Sequence, residues 1–357
     1  MRILYGVVGE GMGHATRSRV LLEALSQEHE VHIVVSGRAQ HYLEKHFKSV
    51  HGIWGLTIAY GENRVRTWQT ILENLKGSVS GWPRNVRQYF DLAASFKPDV
   101  VISDFESFSY YFGMNHRLPV ISVDNMQMLN RCAHDESLLA GYEDPFTLSR
   151  SIVKAKLPGC FHYLVTTFFY PPTRKERTTL VPSILRPEIL AAQSTQGDHL
   201  LVYQTATSNS ALPQLLKKVG LPCRIYGLRR DLKEDVVEDT LTYRPFSEST
   251  FIDDLRTARA VVAGGGFTLM SEAVFLRKPM LSIPVVGQFE QVLNALYLQK
   301  LSYGAHATVL TEGVLQDFLA SLPRCEEALK GYSQDGNAVT VAALNAQLTR
   351  AAEGARP

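Results

Sequence analysis

Short β-branched runs alternate with segments of helical period from the second residue onward, and no other feature restricts the possible folds as strongly. The run at 2–8 is followed by an amphipathic pattern at 15–25 and by a second apolar run at 31–36. Units of this kind build parallel sheets that are covered by helices on both faces. The alternation restarts at 199–203 and continues to a run at 223–226. The sequence therefore predicts the α/β class, with two separate parallel sheets.

A proline-rich stretch with the charged run RKER lies between the two series of strands. Its composition is typical of a connection between domains. We predict an N-terminal domain at 1–170, a linker at 171–190 and a C-terminal domain at 191–357. A length of 357 residues fits two domains. The alanine-rich segment at 336–352 is predicted to be a helix, and its pattern leaves open on which domain it packs.

The charge balance argues against a general attraction to nucleic acid. The 37 basic and 35 acidic side chains give a formal net charge of +2, so we predict no nucleic-acid partner. The four cysteines lie far apart without a C-x-x-C pair, which argues against a zinc site and a disulfide framework and favours a cytoplasmic location. No apolar stretch approaches the roughly 18 residues of a membrane span. Any membrane contact is therefore expected to be peripheral.

The segment VVAGGGFTLMSEA, which begins at Val261, carries the strongest chemical signal. In it a strand runs into three glycines and then directly into a helix. Glycines let the backbone approach a ligand closely, and the free amides at a helix start attract anions. A purely structural turn is the alternative. The three glycines, Gly264 to Gly266, and the helix turn that starts at Phe267 are predicted to form a diphosphate cradle.

Polar side chains follow this turn at positions suited to the rest of a nucleotide-sugar. Glu272 lies on the first turns of the helix, where a carboxylate can accept hydrogen bonds from two ribose hydroxyls. A solvated helix glutamate is the alternative. Gln288, Glu290 and Gln291 lie where a loop opens the next helix, and they either reach sugar hydroxyls or cap that helix.

The N-terminal glycine loop, GEGMGH, follows the first strand. Its G-x-G-x-G spacing is close to a dinucleotide fingerprint, but the third glycine comes one residue early and the second strand ends in Ser36 instead of an acid for ribose. A nicotinamide site is therefore disfavoured. Asp104 and Asp124 each end an apolar run, which places both carboxylates at carboxyl ends of parallel strands, where open α/β sheets bind ligands.

Three motifs, GGFTLMSEA, RKPMLSIP and EQVLNA, resemble in order and spacing the donor signature of the GT-B glycosyltransferases. That group includes plant and antibiotic glycosyltransferases and the bacterial enzyme that adds N-acetylglucosamine to lipid I. The resemblance covers most of the chain and implies two Rossmann-like parallel-sheet domains facing a cleft, an N-terminal one for the acceptor and a C-terminal one for the donor. Gly264 is a departure, because many plant members have a phosphate-binding histidine there. Backbone amides must then hold more of the charge.

The resemblance also implies roles for individual residues. Phe246 stands where the family contacts the base. The loop at 204–209 corresponds to the turn after the first strand of the donor domain, which implies that Thr205 to Ser208 touch phosphate or sugar. The amides around Gly266 to Leu269 are implied to hold the diphosphate. Glu290 and Gln291 stand where the family contacts the donor sugar. The implied donor-binding residues are Gly11, Gly13, Thr205, Ser208, Phe246, Gly265, Gly266, Phe267, Thr268, Leu269, Glu272, Gln288, Glu290 and Gln291.

In the N-terminal domain the resemblance implies a catalytic pair. His14 follows the last glycine of the loop, where the family often places its base, and an imidazole with a pKa near 6.5 can take a proton from an acceptor hydroxyl. Asp104 matches the aspartate that orients this histidine. A structural aspartate is the main alternative. Asp124 and Asn125 are placed to contact an acceptor.

The implied activity is hexosyl transfer from a nucleotide-diphosphate donor, expected to be a UDP-sugar, to an acceptor hydroxyl with inversion. Asp253 and Asp254 are not the D-x-D metal motif of the other glycosyltransferase fold and are expected at a helix start, so we predict no metal. No cofactor is expected either, because the nucleotide-sugar is a substrate.

Other functions remain open from the sequence. A hydrolysing UDP-sugar 2-epimerase shares the fold, and a non-catalytic nucleotide-sugar-binding subunit would share the donor site; an NADP-dependent reductase is more distant. The acceptor could be a glycan, a lipid-linked molecule or a small molecule, and the oligomeric state is not indicated. The segment at 64–97 mixes arginines with tryptophan, tyrosine and phenylalanine. It is either a headgroup-facing or acceptor-binding surface, or a pair of ordinary amphipathic helices.

Overall fold

The computed structural model describes residues 1–9, 11–55, 60–61, 64–65, 81, 83–204 and 212–354. The chain forms two compact units. The first unit comprises Met1–Ala59, Arg66–Arg186 and Asp335–Pro357, and the second comprises Tyr60–Val65 and Pro187–Gln334.

Sixteen strands and thirteen α-helices lie in the described ranges. The strands are β1 Arg2–Val7, β2 Glu30–Ser36, β3 Val50–Ile53, β4 Tyr60–Gly61, β5 Arg64–Val65, β6 Val100–Asp104, β7 Val120–Asp124, β8 His162–Thr167, β9 Thr178–Pro182, β10 Leu200–Tyr203, β11 Cys223–Tyr226, β12 Val236–Glu238, β13 Leu241–Arg244, β14 Ala260–Ala263, β15 Met280–Ser282 and β16 Gly304–His306. The helices are α1 Met12–Leu25, α2 Ala39–Glu44, α3 Ser107–Asn115, α4 Met128–Arg131, α5 Glu136–Leu139, α6 Glu143–Lys156, α7 Pro187–Leu190, α8 Leu212–Val219, α9 Glu248–Thr257, α10 Phe267–Phe275, α11 Phe289–Lys300, α12 Glu312–Lys330 and α13 Ala338–Ala352. A helical stretch at 83–91 continues into a π-helical turn, Leu92–Phe96.

The first unit is built on a parallel sheet of seven strands in the order β3-β2-β1-β6-β7-β8-β9. Its central strands are continuous apolar runs, because helices cover both faces of a parallel sheet and the side chains on both faces are therefore buried. In β1, for example, Ile3, Leu4, Tyr5 and Val7 are all buried. The strand order reverses between β1 and β6, so the carboxyl ends of these two strands lie side by side. Open α/β sheets generally bind ligands at such a switch point.

The second unit repeats this architecture with the order β12-β13-β11-β10-β14-β15-β16. All of its pairings are parallel except that of the edge strand β12 with β13. Here the order reverses between β10 and β14. The prediction of two parallel-sheet α/β units is therefore confirmed.

The predicted linker at 171–190 needs correction, because it contains a strand of the first sheet. β9 pairs in parallel with β8, and Val181 is fully buried. Pro171 and Pro172 lie before the strand, Pro182 is its last residue and Pro187 begins α7, so no proline interrupts the strand. Proline content alone therefore does not mark the boundary.

The C-terminal helix α13 belongs to the first unit, although it follows the second unit in sequence. Leu344 and Leu348 are buried in the hydrophobic core of the first unit. The Asn337 side chain accepts a hydrogen bond from the amide of Leu185 at 2.9 Å and donates one to the Leu185 carbonyl at 2.7 Å. The range predicted for the C-terminal domain, 191–357, is therefore too long at its end.

Candidate active site

The glycine loop of the first unit lies at the switch point of its sheet and is shaped by two close contacts. The Gly9 amide donates to Ser36 Oγ at 3.0 Å, and a Cβ on Gly9 would come within 2.1 Å of the Ser36 carbonyl oxygen. Gly11 has a φ of 78°, in the left-handed region that glycine tolerates best. Helix α1 then begins at Met12, so Gly13 and His14 lie in its first turn.

His14 and Asp104 meet as the sequence predicts. His14 Nδ1 lies 2.8 Å from Asp104 Oδ1, although 90 residues separate the two in the chain. The Asp104 side chain is almost completely buried, whereas 17% of the His14 side chain is exposed. The strand order explains the contact, because β6 pairs directly with β1 and Asp104 pairs with Val7, the last residue of β1.

Arg17 completes this site and was missed by the sequence reasoning. Its Nε donates to Asp104 Oδ2 at 2.9 Å, a second guanidinium nitrogen donates to Asp104 Oδ1, and Nη1 donates to Asn125 Oδ1 at 2.7 Å. Ser18 Oγ also donates to Asp104 Oδ2, at 2.9 Å. The available signal was the spacing, since residues three apart on a helix share a face and Arg17 follows His14 by three.

The electrostatics of this group keep Asp104 ionised. Burial opposes its negative charge, but Arg17 and His14 outweigh that cost and hold the pKa of Asp104 well below its usual range. Burial, and then the charge of Arg17, lower the pKa of His14 from its ordinary value, while Asp104 acts in the opposite direction. His14 is therefore a neutral imidazole at neutral pH.

Asp124 and Asn125 lie close by, with their side chains bonded inside the first unit. Asp124 accepts hydrogen bonds from Ser122 Oγ at 2.6 Å and from the Gln127 amide at 2.8 Å. Burial raises the pKa of Asp124 to about 6. Asn125 holds Arg17, as described above. Contact of these two residues with an acceptor stays a prediction.

Phe105, directly after Asp104, is a second feature that the sequence did not reveal. Its φ is 55°, a left-handed conformation that is uncommon for an aromatic residue. The Lys156 ammonium lies 4.0 Å from the centre of its ring. The next residue, Glu106, caps α3 by accepting hydrogen bonds from the amides of Phe108 and Ser109 at 2.7 and 2.6 Å. This sharp turn allows β6 to end at Asp104 and α3 to begin three residues later, at Ser107.

In the second unit the glycine turn follows β14, at the switch point with β10. The loop after β10, including Thr205 and Ser208, lies outside the described residues. A Cβ on Gly265 would meet the Gln291 carbonyl oxygen at 2.5 Å, so packing against α11 requires this glycine. Gly266 differs, because its φ is −62° and a Cβ there would meet nothing within 4 Å. The fold itself does not require a glycine at position 266.

Gln291 and Asn294 fix the glycine turn from the start of α11. Gln291 Oε1 accepts hydrogen bonds from the amides of Gly265 and Val285, both at 3.1 Å. Asn294 Nδ2 donates to the Gly265 carbonyl at 3.2 Å and to Glu290 Oε1 at 2.6 Å. The Gly265 amide therefore already donates to Gln291. The prediction that this amide binds a diphosphate is dropped, and the predicted cradle then begins at Gly266.

The remaining predicted donor residues are spread over the same unit. Glu272 is 2% exposed, so it is not the solvated helix glutamate of the alternative interpretation. Gln288 occupies the N-cap position of α11 and accepts a hydrogen bond from the Gln291 side chain. Phe246 is 66% exposed, and its ring centre lies 5.9 Å from that of Phe251.

The predicted position of Asp253 and Asp254 at a helix start is wrong. Ser247 caps α9, which begins at Glu248, so both aspartates lie in its second half. Asp254 is buried and accepts hydrogen bonds from Tyr226 Oη at 2.6 Å and from Arg224. This carboxylate anchors α9 to strand β11.

The segment at 64–97 is only partly described, and Arg66, Trp68 and Trp82 lie outside the described residues. In the helical stretch at 83–91, Phe90 is 66% exposed, whereas the Tyr89 ring packs 5.0 Å from that of Phe112. Within the described residues no helix combines the length and the apolar character needed to cross a bilayer.

Comparison with known proteins identifies the family. Residues 1–323 match the family described as "Glycosyl transferase family 1". The chain belongs to this family. An uncharacterized glycosyltransferase of Methanosarcina mazei is 25% identical over 347 aligned residues, which cover 85% of this chain and 85% of that protein.

Two solved structures show the fold of this glycosyltransferase. Phytolacca americana UGT2, complexed with UDP-2-fluoroglucose and pterostilbene, superposes with a TM-score of 0.65 at 12% identity, covering 97% of this chain and 98% of its own. The spinosyn rhamnosyltransferase SpnG, complexed with thymidine diphosphate, gives 0.62 at 19% identity, covering 98% of this chain and 100% of its own. The fold is thus the two-domain GT-B α/β fold, and the enzyme class predicted from the motifs is confirmed.

Proposed function

We propose that this glycosyltransferase moves a sugar from a UDP-linked donor to an acceptor hydroxyl by a single displacement, with His14 as the base and without a metal ion. The buried group formed by His14, Arg17 and Asp104 is the observation that carries this proposal. It combines a partly exposed imidazole with a carboxylate that only orients and stabilises it.

The state of His14 follows from its partners. A carboxylate accepts hydrogen bonds and does not donate them, so a hydrogen bond from His14 to Asp104 across the 2.8 Å contact places the proton on Nδ1 and leaves Nε2 unprotonated. Arg17 Nη2 also lies 2.7 Å from Nδ1, and because an arginine can only donate, this contact alone would suit an unprotonated Nδ1; we assign the Nδ1 proton to the contact with Asp104. Arg17 instead acts on the imidazole through its charge.

The reaction then balances without a covalent enzyme intermediate. The acceptor oxygen forms a bond to the anomeric carbon while the bond from that carbon to the diphosphate oxygen breaks. The acceptor proton passes to His14 Nε2, and Asp104 stabilises the resulting imidazolium. A single displacement inverts the configuration at the anomeric carbon.

The second unit supplies groups suited to the departing diphosphate. The amides at the start of α10, after Gly266, attract negative charge, and position 266 leaves space for a ligand beside the backbone. Glu272 is proposed to bind ribose and Phe246 to meet the base. The two solved structures described above hold UDP-2-fluoroglucose and thymidine diphosphate, which supports a pyrimidine nucleotide.

A calorimetric screen of UDP, thymidine diphosphate, GDP, ADP and NADPH in metal-free buffer tests the donor proposal. We expect UDP to bind most tightly, and Glu272→Ala to weaken its binding. Glu327→Ala is the matched control, because Glu327 is an exposed helix glutamate paired with Lys330. Binding of NADPH alone would contradict the proposal, and retention of anomeric configuration in the product would contradict the single displacement.

A further inference from the structure

Five basic side chains of the first unit converge beside strands β8 and β9. The loop after β8 runs along α4, where Cys132 and Thr173 form an isolated bridge and the Arg174 amide donates to the Arg131 carbonyl at 2.9 Å. Helix α6 packs against α4 from another side. The resulting cation cluster consists of Arg131, Arg150, Lys154, Arg174 and Lys175, in which the charges of the other four act on Lys175.

Arg131 is the fixed centre of the cation cluster. It is 7% exposed, its guanidinium lies 3.8 Å above the centre of the Tyr163 ring, and its Nε donates to Thr178 Oγ1 at 2.7 Å. A guanidinium nitrogen also donates to the Glu176 carbonyl. Lys175 is held in turn by Asn130, whose side-chain oxygen accepts from its ammonium. These neutral partners position the positive charges without neutralising them.

The side chains of the cation cluster lack direct carboxylate partners within the described ranges. In the described part of the chain, none of its five members forms an ion pair with a carboxylate. Burial lowers the pKa of Lys175, and Arg131 and Arg174 lower it further. The pKa of Arg150 is lowered by burial and by Arg174. Like charges held together in this way repel one another, and a multivalent anion relieves the repulsion.

Arginine-rich clusters favour phosphate over other anions. The planar guanidinium donates paired hydrogen bonds that match phosphate oxygens, and lysine adds charge. Helix α6 also presents Leu148 and Ile152, one turn apart and 64% and 57% exposed. An exposed apolar pair beside basic side chains suits a molecule that carries both phosphate and hydrocarbon.

We propose that the cation cluster is a binding site for phosphate groups of a partner molecule, made of residues other than those predicted for the donor. Leu148 and Ile152 favour a lipid headgroup over a soluble phosphorylated molecule as the source of the phosphate. The proposal does not rest on the function proposed above, because it needs neither the donor nor the base.

The test compares two charge reversals in the full-length protein. Lys154→Glu with Arg174→Glu changes the cation cluster, and Lys45→Glu with Lys48→Glu makes the same charge change at exposed lysines elsewhere in the first unit. Binding is measured by co-sedimentation with phosphatidylcholine vesicles, with and without phosphatidylglycerol, and by calorimetry with tripolyphosphate. No nucleotide or acceptor is present, so the result is independent of catalysis. Thermal unfolding verifies that each variant is folded.

We expect binding to phosphatidylglycerol vesicles that the cluster variant weakens by more than about tenfold, at roughly 1 kcal/mol per basic residue. Leu148→Ser with Ile152→Ser should weaken vesicle binding and leave tripolyphosphate binding unchanged. Cluster-dependent binding of tripolyphosphate without vesicle binding would assign the site to a soluble phosphate. Absence of both, or equal weakening by the control variant, would overturn the proposal.

Discussion

Arg17 is bonded to two side chains from different strand ends, Asp104 and Asn125, and its charge acts on His14 in its own helix. A buried arginine held in this way fixes the carboxylate and at the same time makes the histidine harder to protonate. The predictions at the scale of single residues concern these two effects.

Replacing His14 by Ala should remove the base and leave donor binding intact. We expect kcat to fall by about 10²–10⁴-fold, because general base catalysis contributes that much. Steady-state kinetics and UDP calorimetry measure the two quantities, and His41→Ala, at an exposed histidine of α2, is the control. Unchanged turnover in His14→Ala would assign the base to another residue.

Arg17 should set the acidic limb of the pH profile. Only neutral His14 can accept the proton, and burial together with Arg17 lowers its pKa, so activity should be retained below pH 6.5 and lost as pH falls through the lowered value. Arg17→Met removes the positive charge and should move this limb to higher pH. Arg17→Lys keeps the charge and should leave the limb in place, but kcat should fall about 10–100-fold because Asp104 and His14 are held less accurately. The profile of kcat/KM measures the shift. An unmoved limb in Arg17→Met would leave Arg17 a purely structural role.

At the scale of elements, the turn between β14 and α10 combines two glycines with different requirements. Gly265→Ala should lower the free energy of unfolding by about 1–3 kcal/mol, because its Cβ meets the backbone of α11. Gly266→Ala should leave stability unchanged and weaken UDP binding, because its Cβ enters open space beside the amides proposed for the diphosphate. Chemical denaturation and calorimetry separate the two effects. Equal UDP affinity in Gly266→Ala and the unmodified protein would argue against the cradle.

Helix α13 should stabilise the first unit, whose core it completes. Leu344→Ala removes a side chain that is 1% exposed and should cost about 2–5 kcal/mol of unfolding free energy. Val339→Ala on the same helix, at a residue that is 46% exposed, should stay within about 0.5 kcal/mol. Similar losses in both variants, measured by denaturant unfolding, would contradict this assignment.

At the scale of the whole molecule, the proposed chemistry divides between the two units, with the base in the first and the diphosphate cradle in the second. Because backbone amides are proposed to hold the leaving group, sugar transfer should continue at an unchanged rate after treatment with EDTA. Loss of activity in EDTA and its recovery with Mg²⁺ or Mn²⁺ would contradict metal independence.

The sequence by itself determined the two series of alternating strands and helices and the glycine turns after β1 and β14. Hydrophobic periodicity and the backbone conformations of glycine depend on only a few neighbouring residues, so both can be predicted from the sequence. The contact of His14 with Asp104 was accessible through a family resemblance, and Asp104 could also be placed at a strand end from its apolar run. The same local signals failed at 171–190, where prolines suggested a linker but β9 extends the sheet.

Only the tertiary structure decided which side chains surround that pair. In the sequence Arg17 is indistinguishable from other basic residues of a helix, and Asn125 lies 108 residues away from it. The strand order brings both residues to Asp104. The same holds for Gln291, which reads as a sugar contact but bonds the Gly265 amide. Burial of polar groups depends on which elements pack together, and that packing is a property of the whole unit and not of any local pattern.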